Sequence, residues 1–198
     1  ITKSVKKGLV ADSISVCLGS RFGVGGSHRS IFSSEIIDCD TVLFGAWNRR
    51  IFEEVGLFDV NFIRGQDLEH NIRIARKGYR VVQLPIEGVT YFSRNNYKKL
   101  FNMMKQYASV KPMLFKKGYG FPNYRSLIPF LMYAFFLVFS FISPQIAIAV
   151  FSLYLLFAFS FSFYESCRVS KIYLVANIFV GYLLQHIGHA FGMTLGLL

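Results

Sequence analysis

Acidic residues are scarce in this chain. Only 11 Asp and Glu stand against 22 Lys and Arg over 198 residues, a formal net charge of +11. Cysteine is limited to Cys17, Cys39 and Cys167. An odd count without metal-type spacing excludes a disulfide-stapled secreted module, and reduced thiols in a cytosolic or membrane setting are expected. Proline occupies five positions, and tryptophan one. Charge of either sign almost vanishes beyond Arg125, where only Glu165, Arg168 and Lys171 remain. What is abundant is apolar: 53% of residues, 22 of them Phe, with a mean hydropathy of +0.41. A disordered tail is therefore excluded. A chain this apolar and this basic favours a membrane partner over nucleic acid.

The charge shift divides the chain. Residues 1–125 hold 20 of the 22 basic and 10 of the 11 acidic residues. Residues 126–198 read as a membrane region with three apolar segments, at about 127–142, 145–164 and 172–195. Ser143-Pro144-Gln145 separates the first two, because proline lacks an N–H and disfavours helix just before it. The first segment is short for a span unless it begins near Tyr124. Basic residues sit before the first segment and after the second. With residues 1–125 cytoplasmic, the 165–171 loop is cytoplasmic as well and the C-terminus lies outside. Gly188, Gly192 and Gly196 recur every four residues and line one helix face, which allows close helix approach. His186 and His189 share a face and suit either interhelical hydrogen bonding or, more weakly, a metal.

Residues 94–125 carry eight Lys or Arg and no acid. Tyr97, Leu100, Phe101, Met104 and Ala108 repeat at helical spacing, with Lys98, Lys99 and Lys105 off that face. The pattern predicts a basic interfacial helix drawn to anionic membrane lipids. The alternative is a solvated basic helix packed on its own domain.

Residues 1–93 read as an α/β layer. Asp38–Phe44 predicts a strand, and Asn48–Val55 a short helix stopped by Gly56. Leu68, Ile72 and Ala75 form the apolar face of a second helix. Acids in its first turn and Arg76 and Lys77 in its last suit the helix dipole, and Gly78 closes it. Tyr79–Leu84 and about Gly88–Phe92 predict two more strands. Gly19–Gly26 lacks the Lys-Ser/Thr of a phosphate loop and reads as a mobile loop. Asp67, just after Gly65 at a helix start, could take a proton from a substrate hydroxyl. From spacing alone the plainer reading is a cap, with Glu69 the i,i+4 partner of Arg73.

Asp40–Asp59 (DTVLFGAWNRRIFEEVGLFD), then Gly65-Gln66-Asp67-Leu68-Glu69 with Arg73, then Lys77-Gly78-Tyr79, resemble family 2 glycosyltransferases of the succinoglycan-biosynthesis type. Pro85, Arg94, Leu100, Tyr107, Lys111, Arg125, Pro129 and the His189–Met193 segment continue the likeness. The resemblance implies a GT-A-like fold over residues 1–93, of which this chain would hold the C-terminal part. It also implies sugar transfer with inversion from a nucleotide-sugar donor to an acceptor hydroxyl, either lipid-linked or on a polysaccharide. Asp67 would be the catalytic base, and Gln66, Glu69, Arg73, Trp47 and Gly45 would bind substrate. A divalent metal, Mg or Mn, is expected, with its Asp-x-Asp ligands upstream of these residues. A bacterial inner-membrane, multi-pass protein with a cytoplasmic catalytic part would follow. Tyr107-Ala108-Ser109-Val110-Lys111 departs from the relatives' Tyr-Gly-Arg-Trp/Gly-Lys, which leaves acceptor or diphosphate contacts there open. The chain opens at Ile1 without signal-peptide regions, so it is expected to be the back portion of a longer enzyme. A catalytically silent membrane anchor or assembly subunit is the alternative. No nucleic-acid-binding motif occurs.

Overall fold

The computed structural model describes residues 2–5, 8–24, 35–41, 45–85, 89–121 and 124–198. In chain order they form β1 (Thr2–Val5), α1 (Leu9–Gly19), α2 (Arg21–Val24), β2 (Ile37–Asp38), α3 (Arg49–Val55) and α4 (Gln66–Arg76). There follow β3 (Val82–Gln83), β4 (Val89–Phe92), α5 (Tyr97–Lys116), α6 (Leu127–Ile142), α7 (Pro144–Arg168) and α8 (Val175–Leu197).

Helix dominates, and this overturns the expected α/β GT-A-like layer. Among the described residues, β1 pairs in parallel with β4 and β2 pairs antiparallel with β3, as two separate two-stranded sheets. Two short strands offer too little face to carry a layer of helices. In the Tyr79–Leu84 segment the strand is confined to Val82–Gln83, with the Val81 carbonyl also accepting from the Cys39 N–H, because the Tyr79 N–H turns back to the Ile74 carbonyl and closes α4. Of the predicted Asp38–Phe44 strand only Asp38 is in β2, and Val42–Phe44 lie outside the described residues. The Gly19–Gly26 stretch forms α2 at Arg21–Val24 rather than a loop throughout, and Gly25 and Gly26 lie outside the described residues.

The helices follow their local signals. Asn48 caps α3 by accepting from the Arg50 N–H, and Gly56 ends it at φ 88°. Gly78, at φ 88°, follows α4. Asn96 caps α5 by accepting from the Lys98 N–H. Pro144 stands at the first position of α7, where its missing N–H costs no helical bond.

Three helices are long and apolar enough to cross a membrane: Tyr124–Ile142, Pro144–Arg168 and Ile172–Leu197. A 3₁₀ turn at Tyr124–Ser126 lengthens the first to 19 residues. At 1.5 Å per residue that is about 28 Å, close to a bilayer core. The first two expose broad apolar faces, whereas 44% of the residues in the third's most apolar stretch are buried.

The helix that covers the third is α5. Gly188, Gly192 and Gly196 of α8 meet the backbone carbonyls of Phe101, Lys105 and Ser109. Both series rise together, so α5 and α8 run parallel. A side chain at Gly192 would have to displace the Lys105 carbonyl, and no rotamer change relieves a clash with backbone. The glycine stripe thus joins the basic helix to an apolar one.

α5 also gathers the remaining core. On one side Leu100, Met103 and Met104 pack with Ile14 of α1. On the other, Val110 and Leu114 pack with Phe62, with Leu68 and Ile72 of α4 against them. Gly65 sits where these elements meet. Its φ is 69°, and a Cβ there would lie 2.9 Å from Val110 Cγ1. Glycine is needed for both reasons. The start of α4, with Gln66 and Asp67, is thereby set against α5.

Candidate active site

Asp67 lies in the first turn of α4, half-buried, where the helix dipole favours a carboxylate. Its Oδ2 accepts a 3.1 Å hydrogen bond from Thr41 Oγ1. Because the Thr41 hydroxyl is the donor, that bond steadies the carboxylate and leaves Oδ1 as a second acceptor. Gln66, next to it, is exposed.

Asn71 is one turn further along α4, on the same face. It is 1% exposed. Its Oδ1 accepts from Trp47 Nε1 at 3.0 Å. An indole nitrogen can only donate, so the amide nitrogen of Asn71 points the other way; it is buried and has no partner among the described residues. Trp47 in turn stands over Gly45, and its ring occupies the space a Cβ there would need. Trp47, Phe52 and Phe58 surround the buried His70, with Phe52 stacked on its ring at 5.0 Å. Burial, then the nearby Arg73 charge, pulls the His70 imidazole below its ordinary value. His70 is therefore a neutral packing element at pH 7.

Glu69 and Arg73, expected as substrate contacts, are turned to internal partners. Arg73 donates to both carboxylate oxygens of Glu69, from Nε at 2.8 Å and from Nη2 at 2.9 Å. Its nitrogens also donate to the carbonyls of Val55 at 2.7 Å and Leu57 at 2.8 Å. The Tyr119 hydroxyl donates to Glu69 at 3.0 Å. Burial, and then that bond to an anion, raises the Tyr119 phenol. One buried ion pair thus ties α4 to the end of α3 and to the segment after α5. This is the i,i+4 pairing read as the alternative from spacing.

A cavity of about 440 Å³ opens on the Leu68, Asn71 and Ile72 face of α4, lined also by Asp38, Asp40 and Arg80; Asp67 is not among its lining residues. Arg80 binds both carboxylate oxygens of Asp38 at 2.9 Å and holds that carboxyl below its usual range. Among the described residues no three His, Cys, Asp or Glu side chains group to hold a metal. The expected divalent ion has its Asp-x-Asp ligands upstream of these residues, so that grouping is a matter separate from it. Sequence reasoning missed Thr41, Asn71 and Tyr119. Only Asn71 carried a readable signal, its i+4 spacing from Asp67.

The histidines of α8 have separate partners. His186 lies 3.0 Å from the Tyr154 hydroxyl and 2.9 Å from the Phe22 carbonyl, and His189 lies 3.1 Å from Lys111 Nζ.

The arrangement defines a class: helices of membrane-spanning length beside a small unit that presents a carboxylate next to a cavity. No family model matches the chain, and no solved structure matches it. The chain is similar to the dolichyl N-acetyl-alpha-D-glucosaminyl phosphate 3-beta-D-2,3-diacetamido-2,3-dideoxy-beta-D-glucuronosyltransferase of Methanococcus voltae. The two are 29% identical over 108 residues, which cover 54% of this chain and 33% of that protein. This weak homology supports a glycosyltransferase family in general, and the matched stretch spans about a third of the relative's length.

Proposed function

We propose that this chain is part of a membrane glycosyltransferase that moves a sugar from a nucleotide-sugar donor to a hydroxyl of a lipid-linked acceptor, with inversion. Its place is cell-surface polysaccharide or glycolipid assembly at a bacterial inner membrane. The observation that carries the reading is the homology to a transferase whose name specifies a lipid-phosphate-linked sugar acceptor. In the proposed reaction the acceptor oxygen bonds to the anomeric carbon and the bond from that carbon to the donor diphosphate breaks. The hydroxyl proton passes to Asp67, and the diphosphate leaves with the bonding electrons. Thr41 holds the carboxylate for this step. Asn71, fixed by Trp47, lines the neighbouring cavity. No step is assigned to a metal held by these residues.

Membranes containing the full-length protein should transfer radiolabelled sugar from nucleotide-sugar donors into organic-extractable lipid. Failure across a panel of donors, with the protein present and folded, overturns the reading. The expected orientation, charged half inside and C-terminus outside, does not suit α8: Lys171 before it pairs with Asp12, and the Leu197 carbonyl at its end accepts from Lys116 at 2.7 Å, so both ends adjoin residues 1–125.

A further inference from the structure

α8 has the length of a membrane span, yet residues of the charged half follow it from end to end. Ahead of it, Lys171 Nζ donates to Asp12 Oδ2 of α1 at 2.5 Å. From α1 onward, the Cys17 thiol donates to the Ile178 carbonyl at 3.5 Å, and Ser20 Oγ accepts from the Tyr182 hydroxyl at 2.7 Å. From α5, the Tyr97 hydroxyl donates to the Asn177 carbonyl at 2.9 Å. The backbone of Phe101, Lys105 and Ser109 then closes on Gly188, Gly192 and Gly196. At the far end, Lys116 Nζ donates to the Leu197 carbonyl at 2.7 Å. If α8 crossed a bilayer, α5 would have to cross with it. α5 carries Lys98, Lys99, Lys105, Lys111 and Lys116, and no ion pair among the described residues neutralises them. Lys105 lies about 12 Å from the nearer end of the helix, beyond the reach of its side chain to the head groups. Unpaired ammonium groups at that depth are strongly disfavoured.

The side of α8 that its neighbours leave open is apolar. Val180, Ile187, Phe191 and Leu195 are exposed and share one face. That stripe is continuous with exposed apolar side chains of α7, which packs beside α8 through Phe159 on Phe179 and the Tyr154 hydroxyl on His186. We propose that α8 is a membrane seat and not a span. Its open stripe lies against the acyl chains of a bilayer, while its back and both ends stay with residues 1–125. The bilayer is then entered by α6 and α7 alone. These two fold back on each other at Ser143, with Phe136 against Phe151, so the chain returns to the side it left. Leu198 therefore lies on the same side as residues 1–125. The occupant of the stripe is lipid because the stripe is uncharged along its length and runs on into the apolar faces of the hairpin. The seat also places the start of α4. Ser109 and Val110, neighbours in one turn of α5, meet Gly196 of α8 and Gly65 ahead of α4.

The first test is sidedness, in cells that express the full-length protein. Cys39 and Cys167 are changed to Ser, and the buried Cys17 is kept. A reactive cysteine is then placed at Arg49, whose side chain is 95% exposed, or at Leu198, which is 92% exposed, so neither change disturbs packing. A membrane-impermeant maleimide is applied before and after permeabilisation. Arg49→Cys and Leu198→Cys should be labelled in the same preparation and protected in the same preparation. Labelling of the two from opposite sides means that α8 crosses, and overturns the proposal. The second test is contact. Nitroxides at Val180→Cys, Ile187→Cys and Leu195→Cys are measured in the full-length protein in phosphatidylcholine vesicles. Each should be relaxed more by oxygen, which concentrates in lipid, than by a water-soluble nickel complex. Stronger relaxation by nickel means that water covers the stripe, and protection from both means that protein covers it; either result overturns the seat. Neither test reads sugar transfer, so failure of the transferase reading leaves both results intact.

Discussion

Asp67→Asn in the full-length protein is expected to lower sugar transfer by about 10²–10⁴-fold, the range a positioned general base contributes. The change is nearly isosteric. The amide oxygen can still accept from Thr41 Oγ1, so the first turn of α4 keeps its anchor. What is lost is the basic oxygen that takes the acceptor proton. Melting temperature and membrane insertion should stay at wild-type values while turnover collapses and donor binding is retained. Wild-type turnover in this variant would remove Asp67 from the role of base.

Glu69→Ala is expected to act on stability. The Glu69 side chain is 1% exposed and Arg73 is 20% exposed, so the pair is shielded from water. Removal of the carboxylate leaves the guanidinium bonded only to the carbonyls of Val55 and Leu57, and frees the Tyr119 hydroxyl. Truncation of one partner of a buried pair costs about 3–5 kcal/mol. For a chain of this size that corresponds to a fall in Tm of about 6–20 °C. Glu69→Gln keeps an acceptor for Arg73 and Tyr119 and should lose less. A Tm within about 2 °C of wild type in Glu69→Ala would show that the clamp does not hold α3 and α4 together.

The two residues were alike in the chain, acids two positions apart at a helix start. Their fates differ because α4 turns them about 200° apart. Glu69 is buried and meets Tyr119, while Asp67 is half-buried and meets Thr41 on another side of the helix. Helix spacing displayed the Glu69–Arg73 pair. It could not display Tyr119 or Thr41, which are separated from their partners by 50 and 26 positions. The expected α/β layer failed for a related reason. Short runs such as Tyr79–Leu84 have strand composition, but a strand needs a neighbour, and here the helices around α5 took up the apolar surface. α1 went unread because its apolar face has meaning only against α5 and α8.

What the sequence by itself determined was local or compositional. Asn48 and Gly56 bound α3, Gly65 and Gly78 flank α4, and long uncharged runs make three helices of membrane-spanning length. Such signals act over a few residues, or through burial that any apolar run seeks. Only the tertiary structure decided that the glycine stripe of α8 receives the basic helix α5, that Trp47 orients Asn71, and that Lys111 meets His189 across 78 positions. Those contacts depend on shape and on unpaired donors meeting acceptors. Both are set when distant segments pack, so neither leaves a periodic mark along the chain.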